Sequence, residues 1–320
     1  MVCAGESYHN RKVIRRNVNT APILLFTYKR LWHTQECVKT LKKNIMACDS
    51  ELIVFSDGPR RSEDNTAVES IRKYIKTING FKKVSLVERR VNLGLAKSII
   101  SGVSEAVKNH GRVIVLEDDL VTSPFFLKFM NDALEYYQED ERVISVHGYV
   151  YPVHATLPDT FFLRGADCWG WATWKRGWDL FEPDGEKLLG EIRNRKLERD
   201  FDFGGNYPYT KMLKDQTRGK NDSWAIRWHA SAYLAGKFTL YPGRSLVRNI
   251  GADNSGTHTG KTFVFDTMVS EEPIMVSTIP VEENRSARSE IERYFRRTKP
   301  GAAARLIKKV TDSFKRNPDK

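Results

Sequence analysis

Long apolar runs, patterned cysteines and internal repeats are all missing from this 320-residue sequence, and each absence narrows what the protein can be. No stretch approaches the roughly 18 consecutive apolar residues that a membrane-crossing helix needs. The opening MVCAGESYHNRKVIRR contains no apolar segment of signal-peptide length, so a cytoplasmic setting is the expectation. The four cysteines, Cys3, Cys37, Cys48 and Cys168, form no CxxC pair and have no histidine at metal-ligand spacing. Neither a zinc site nor a disulfide framework is implied, and a reducing compartment is the simpler setting. With no repeat or low-complexity tract and 40% hydrophobic residues, an ordinary globular body with a real core is expected.

What is present in excess is positive charge: 52 Lys and Arg against 40 Asp and Glu, a net +12. Such a balance favours anionic partners such as nucleotides, phospholipid headgroups or nucleic acid. The stretch from Arg285 to Lys320 carries twelve Lys/Arg against four Asp/Glu, eight of the net charge, so the body is only mildly basic. No nucleic-acid motif or basic face with interleaved aromatics stands out, and no nucleic-acid partner is expected. Within the tail, Leu306, Ile307, Val310 and Phe314 share one helical face, ringed by Arg305, Lys308, Lys309 and Lys315. This basic amphipathic stretch, Ala302 to Phe314, reads either as a solubilising or partly disordered tail or as an attachment to an anionic membrane surface.

The first half alternates short β-rich apolar runs with longer amphipathic stretches, the pattern of an α/β fold with a mostly parallel sheet. Strands are predicted over Pro22–Thr27, Leu52–Ser56, Val84–Glu88, Val113–Glu117 and Val143–His147, with helices over Trp32–Ile45, Asn65–Ile78, Ala96–Asn109 and Pro124–Tyr137. Ligands of open α/β sheets bind at the carboxyl ends of strands. The residues that follow the runs are therefore the first candidates: Tyr28-Lys29-Arg30, Asp57-Gly58, Arg89 to Gly94, and Asp118-Asp119. The second half is less regular, with aromatics clustered around Phe161–Trp178 and Gly204–Trp228, as expected of a region that shapes a substrate site.

The sharpest signal is VIVLEDDL, Val113 to Leu120, an apolar strand that ends in three consecutive carboxylates. Like charges so close repel. A divalent cation removes that repulsion, and hard oxygen ligands suit Mn2+ or Mg2+. The plainer alternative is that the acids cap a helix starting near Ser123-Pro124.

Leu116 to Leu120 with the following SPFFLKF resembles the EDD motif and succeeding helix of GT-A glycosyltransferases, especially the Golgi N-acetylglucosaminyltransferase that initiates complex N-glycans and its bacterial family-2-like relatives. The resemblance runs from about Pro22 to His258. It implies a Rossmann-like, mostly parallel GT-A sheet with flanking helices, followed by an irregular, aromatic-rich acceptor side. It further implies transfer of a hexosyl or N-acetylhexosaminyl group from a nucleotide-sugar donor, a UDP-sugar, to a glycan or lipid-linked glycan acceptor, with inversion. The matching positions are Arg30, in FTYKR, for the nucleotide, and Asp57, in FSDG, for the uracil ring. Glu117 and Asp118 match the residues on the ribose and sugar, and Asp119 the ligand of Mn2+. Asn92, in NLGLA, falls in a segment common to family-2 enzymes. Each has a plainer reading as well: Asp57-Gly58 as a turn, Arg30 as a helix-start residue, Asn92 to Gly94 as a loop entering a helix.

For the catalytic base the resemblance points to an aspartate beside a tryptophan ahead of a helix. Asp222, in NDSWAIRWHAS, is the first choice, with helix capping as its alternative. Asp167, in RGADCWGWATWKR, is the second, in a segment resembling the family's wall around donor sugar and acceptor. Trp169, Trp171 and Trp174 there are candidates for sugar stacking or for core. His258, in NIGADNSGTHTG, is a candidate for the metal or the diphosphate. Unlike the Golgi enzyme, the sequence shows no anchor or disulfide-bearing lumenal domain, which points to the cytoplasmic face of a membrane. A sugar-phosphate nucleotidyltransferase is disfavoured, because Phe26 to Trp32 contains no glycine. A non-catalytic carbohydrate- or membrane-binding protein would not need the acids together with Asp57 and Arg30. The expected organisation is a nucleotide-sugar-binding half over 20–150, an acceptor-binding and catalytic half over 151–280, and a basic tail over 285–320.

Overall fold

The computed structural model of the chain describes residues 19–253 and 264–299. In chain order the first half runs β1 (Ile23–Thr27), α1 (Leu31–Leu41), β2 (Glu51–Ser56), α2 (Asn65–Ile75), β3 (Lys83–Glu88), α3 (Leu95–His110), β4 (Arg112–Glu117), β5 (Leu120–Thr122), α4 (Phe126–Tyr136) and β6 (Val143–His147). The second half adds β7 (Thr160–Arg164), β8 (Trp171–Trp174), α5 (Lys175–Trp178), α6 (Gly185–Asn194), α7 (Glu198–Phe201), α8 (Tyr209–Thr217), α9 (Trp224–Leu234), β9 (Phe238–Pro242), β10 (Val247–Asn249) and α10 (Arg285–Thr298). All five predicted strands and all four predicted helices are present, with ends shifted by a few residues.

Eight strands form one sheet in the order β3-β2-β1-β4-β8-β6-β9-β7. Six run the same way and only β8 and β7 run against them, so the expected mostly parallel α/β sheet is what forms. Side chains alternate between its faces with the period of two that a strand imposes. Ile23 and Leu25 of β1 and Ile114 and Leu116 of β4 join α1, α2 and α4 in one core. Leu24, Phe26, Val113 and Val115 face α3 and α9 in the other. The helices that carry the chain from β1 to β2 and β3 thus lie on one face, and the helix that returns it to β4 lies on the opposite one. The chain reverses direction across the sheet between β1 and β4, which is where doubly wound folds bind ligands.

The second half is more regular than its sequence suggests. Its strands are three to five residues long, and β8 (WATW) is buried throughout, so no alternation betrays it.

The basic tail begins later than residue 285. Helix α10 is capped by Asn284, whose side chain accepts from the Ala287 N–H, and it buries Ala287, Ile291 and Phe295. Arg288 ties it down with bonds to Asp200 (2.8 Å) and Glu283 (2.9 Å). Both the amphipathic stretch Ala302–Phe314 and His258 lie outside the described residues. Among the described residues no helix is long and apolar enough to cross a membrane.

Candidate active site

Strands β1, β2 and β4 end level with one another. Phe26 stands opposite both Phe55 and Glu117, and Thr27 opposite Ser56. The residues that follow each strand therefore share one rim, and it spans the reversal point between β1 and β4.

Arg30 closes the turn after β1 as the residue preceding α1. Its Nη2 donates to Asp118 and, at 2.9 Å, to Asp119 Oδ2, so one guanidinium bridges both acids. Burial opposes the charge on Arg30, but the two aspartates outweigh it and push its pKa up. Asp118 is almost wholly enclosed. Burial lifts its carboxyl to about 6, with Asp119 adding to the rise and Arg30 and the Tyr28 backbone N–H pulling it back. For Glu117, burial first and then Asp119 and Asp118 lift the value to about 8, opposed only by Arg30. Three acids share one cation, which leaves uncompensated negative charge at the strand end.

Capping does not explain these acids. They are separated from α4 by β5, and α4 starts at Phe126 with no side-chain cap.

The folded-state pKa of Glu117 lies above its ordinary value of 4.5, so its contribution is most favourable at low pH and is lost as pH rises toward 8. Glu117→Gln should therefore gain thermal stability over wild type progressively from about pH 5 to pH 8. Added Mn2+ should narrow that gap. Parallel melting curves across this range would contradict the assignment.

The strand pair β5–β10 brings in a residue that sequence reasoning did not single out. Asn249 stands opposite Leu120, and the Ile250 N–H donates to the Asp119 carbonyl at 2.8 Å. This lays Gly251 directly on the Arg30–Asp119 pair: a Cβ there would collide with Asp119 Oδ2 and stand 3.0 Å from Arg30 Nη1. The loop reads as glycine-rich in sequence, but only the β5–β10 pairing reveals which glycine approaches the acids.

Asp57 organises the next sector. Its Oδ1 accepts from the backbone N–H groups of Gly58 and Leu93 and its Oδ2 from that of Gly94, all at 2.9 Å. Asn92 closes the same clamp by donating to the Gly58 carbonyl at 2.8 Å. Gly58 is needed here, because a Cβ would stand 2.5 Å from the Val91 backbone. A carboxylate has about four acceptor sites, so Asp57 holds two loops together and still has room for one further donor.

Asp167 lies in the loop after β7. Its Oδ2 accepts from the Tyr151 hydroxyl at 3.0 Å, and its Oδ1 accepts from the Cys168 N–H at 2.9 Å. Burial raises the neighbouring Cys168 thiol, and Asp167, Glu117 and Asp119 all add to the rise. The same loop runs against β4, where a Cβ on Gly170 would stand 3.4 Å from the Leu116 side chain. Of the three tryptophans, Trp171 and Trp174 are core, whereas Trp169 stays partly open against Tyr149 and Phe265.

Asp222 is not joined to the triad by any hydrogen bond or ion pair. Its Oδ1 accepts from Arg227 Nη2 at 2.9 Å while its side chain is 66% exposed. The cap of α9 is Ser223, whose hydroxyl accepts from the Ile226 N–H, so capping is not the role of Asp222. Trp224, two residues on, stacks on Trp171 with centroids 5.4 Å apart, and Trp171 stands opposite Val115. The start of α9 is thereby tied to the carboxyl-terminal half of β4. Among the described residues no group of three or more His, Cys, Asp or Glu side chains is arranged to hold a metal ion.

With this geometry the chain can be set beside known proteins. Residues 23–164 match the family model Glycosyl transferase family 2. The family-2 match spans β1 to β7 and includes Arg30, Asp57, Asn92 and the triad, whereas Asp167, Asp222 and the loop after β10 lie beyond it. No curated protein matches the chain. Solved structures similar to it include a mannosyltransferase from Pyrobaculum calidifontis in complex with GDP-Man and Mn2+, at 15% identity and TM-score 0.31, over 41% of this chain and 35% of that one. Another is TarS of S. aureus, at 16% identity and TM-score 0.30, over 47% of this chain and 25% of that one. The chain thus spans about a third of the first protein and a quarter of the second. Likeness at that level says nothing of what this chain binds.

Proposed function

We propose that the chain is a metal-dependent glycosyltransferase that moves a sugar from a UDP-sugar to a hydroxyl of a glycan or glycolipid, with inversion at the anomeric carbon. One observation carries the reading: Arg30, Asp57, Asp118 and Asp119 follow three adjacent strands whose ends are level, and Arg30 bonds to both Asp118 and Asp119 at the reversal point of the sheet, inside the segment that matches family 2. The closer likeness to the EDD enzymes, the transfer of a hexosyl or N-acetylhexosaminyl group and the cytoplasmic face as setting belong to the same proposal.

Roles follow from the contacts. Asp57 offers its remaining acceptor site to an N–H of the base, with Asn92 keeping the clamp in place. Glu117 and Asp118 face the ribose and sugar hydroxyls, and Arg30 pairs with the diphosphate. Asp119, together with His258, would hold Mn2+ or Mg2+. The donor set fits such an ion, because it offers hard oxygens with more negative charge than Arg30 offsets. When bound, the ion would stabilise negative charge on the departing diphosphate.

Asp222 is the proposed base. One of its oxygens is held by Arg227 while the carboxylate stays open to an acceptor hydroxyl, which suits proton removal as the hydroxyl attacks. Asp167 already accepts from the Tyr151 hydroxyl on one oxygen and from the Cys168 N–H on the other, so both its oxygens are engaged within the fold. It acts instead by positioning the aromatic wall.

Thermal melting with UDP and Mn2+ tests the reading. At a hundred times the Kd, binding to the folded state adds about 2.7 kcal/mol, so the midpoint should rise by several degrees with the pair and less with either alone. Release of nucleoside diphosphate across a panel of nucleotide-sugars then finds the donor. No shift with any nucleoside diphosphate and Mn2+ would remove the proposal.

A further inference from the structure

Arg30 and a divalent cation are rival partners for the same oxygens. A single nitrogen, Arg30 Nη2, reaches both Asp118 and Asp119. The contact with Gly251 closes the remaining side, with Arg30 Nη1 and Asp119 Oδ2 both against the position a Cβ would take. The backbone of Arg30 is fixed, because its carbonyl accepts from the Thr34 N–H at 3.0 Å and from the Thr34 hydroxyl at 2.9 Å. Only the side chain can swing, and it retains 19% exposure.

We propose that Arg30 makes cation binding conditional on the nucleoside diphosphate: its guanidinium occupies Asp118 and Asp119 until a diphosphate draws it away. The inference rests on the reading of Asp119 as the cation ligand. An ion arriving alone displaces the guanidinium into a partly buried place without a partner, which is costly. A diphosphate removes that cost, because it pairs with a guanidinium through two parallel hydrogen bonds and also ligates the ion. Cation and diphosphate therefore assist one another, and linkage requires each to raise the affinity of the other by the same factor.

The test is a Mn2+ titration of the full chain, read from the electron paramagnetic resonance of free Mn2+, with and without UDP and corrected for Mn2+ chelated by UDP alone. Wild type should bind Mn2+ at least about tenfold more tightly with UDP than without. Arg30→Gln should bind Mn2+ alone more tightly than wild type does, and the UDP enhancement should fall at least about threefold below that of wild type, leaving the share that direct ligation by the diphosphate supplies. A residue acting only through its charge would shift Mn2+ affinity equally with and without UDP, and that result would overturn the proposal. Wild type that binds Mn2+ equally well without UDP would also overturn it while leaving the cation site intact. Wild type that binds no Mn2+ even with UDP would remove the cation site, and this role with it. Arg30→Lys keeps the charge without the fork, should likewise lose most of the coupling, and decides the matter where Arg30→Gln fails to fold.

Discussion

Replacing Asp119 with alanine is expected to lower sugar transfer and donor hydrolysis at least about a thousandfold while leaving the thermal midpoint unchanged or higher. The loss follows from the several kcal/mol that neutralising a departing diphosphate supplies. The fold survives because Asp119 lies in a cluster of three acids served by one arginine. Its removal relieves repulsion on Glu117 and Asp118, and Arg30 keeps Asp118 as a partner. Nucleoside-diphosphate release together with a melting curve checks both halves. Near-normal turnover, or an unfolded variant, would each count against the assignment.

Asp222→Asn is the second large effect. Loss of a positioned base lowers the rate by about a hundredfold to ten-thousandfold, and here the fall should be in kcat, with the affinity for UDP and Mn2+ unchanged. Stability should move little, because Asp222 is itself exposed and Arg227 keeps its bonds to the Ser223 and Pro183 carbonyls. Asp167→Asn makes the informative contrast. Asparagine keeps one acceptor oxygen but puts an NH2 in place of the other, so either the Tyr151 hydroxyl or the Cys168 N–H loses its acceptor, and the melting midpoint and acceptor binding should fall together. If Asp222→Asn kept most of its activity while Asp167→Asn lost all of it without destabilisation, the two roles would have to be exchanged.

The first half of the fold was legible because buried parallel strands read as apolar runs, and their ends are marked by the first polar residue. PILLFT before Tyr28, LIVFS before Asp57 and VIVLE before Asp118 all show this, and the register brings those ends level. Three-dimensional pairing hid the rest. Strand β8 has no alternation because both its faces are buried, and β5 and β10 are three residues each, held by one another. The place of Gly251 against Asp119 depends on that pairing alone. The clamp of Asp57 on Leu93 and Gly94 is equally invisible in sequence, since it joins loops 36 and 37 residues apart. Helix α10 was read as tail because its net positive charge drew attention from Ala287, Ile291 and Phe295, the positions that bury one of its faces.

Anomalous diffraction from crystals soaked with UDP and Mn2+ tests the central claim most directly. The account predicts one strong Mn2+ peak within bonding distance of the Asp119 carboxylate and of the diphosphate, with Arg30 turned from Asp118 and Asp119 toward the phosphates. A diphosphate bound on another face of the sheet, or a Mn2+ peak remote from Asp119, would contradict it.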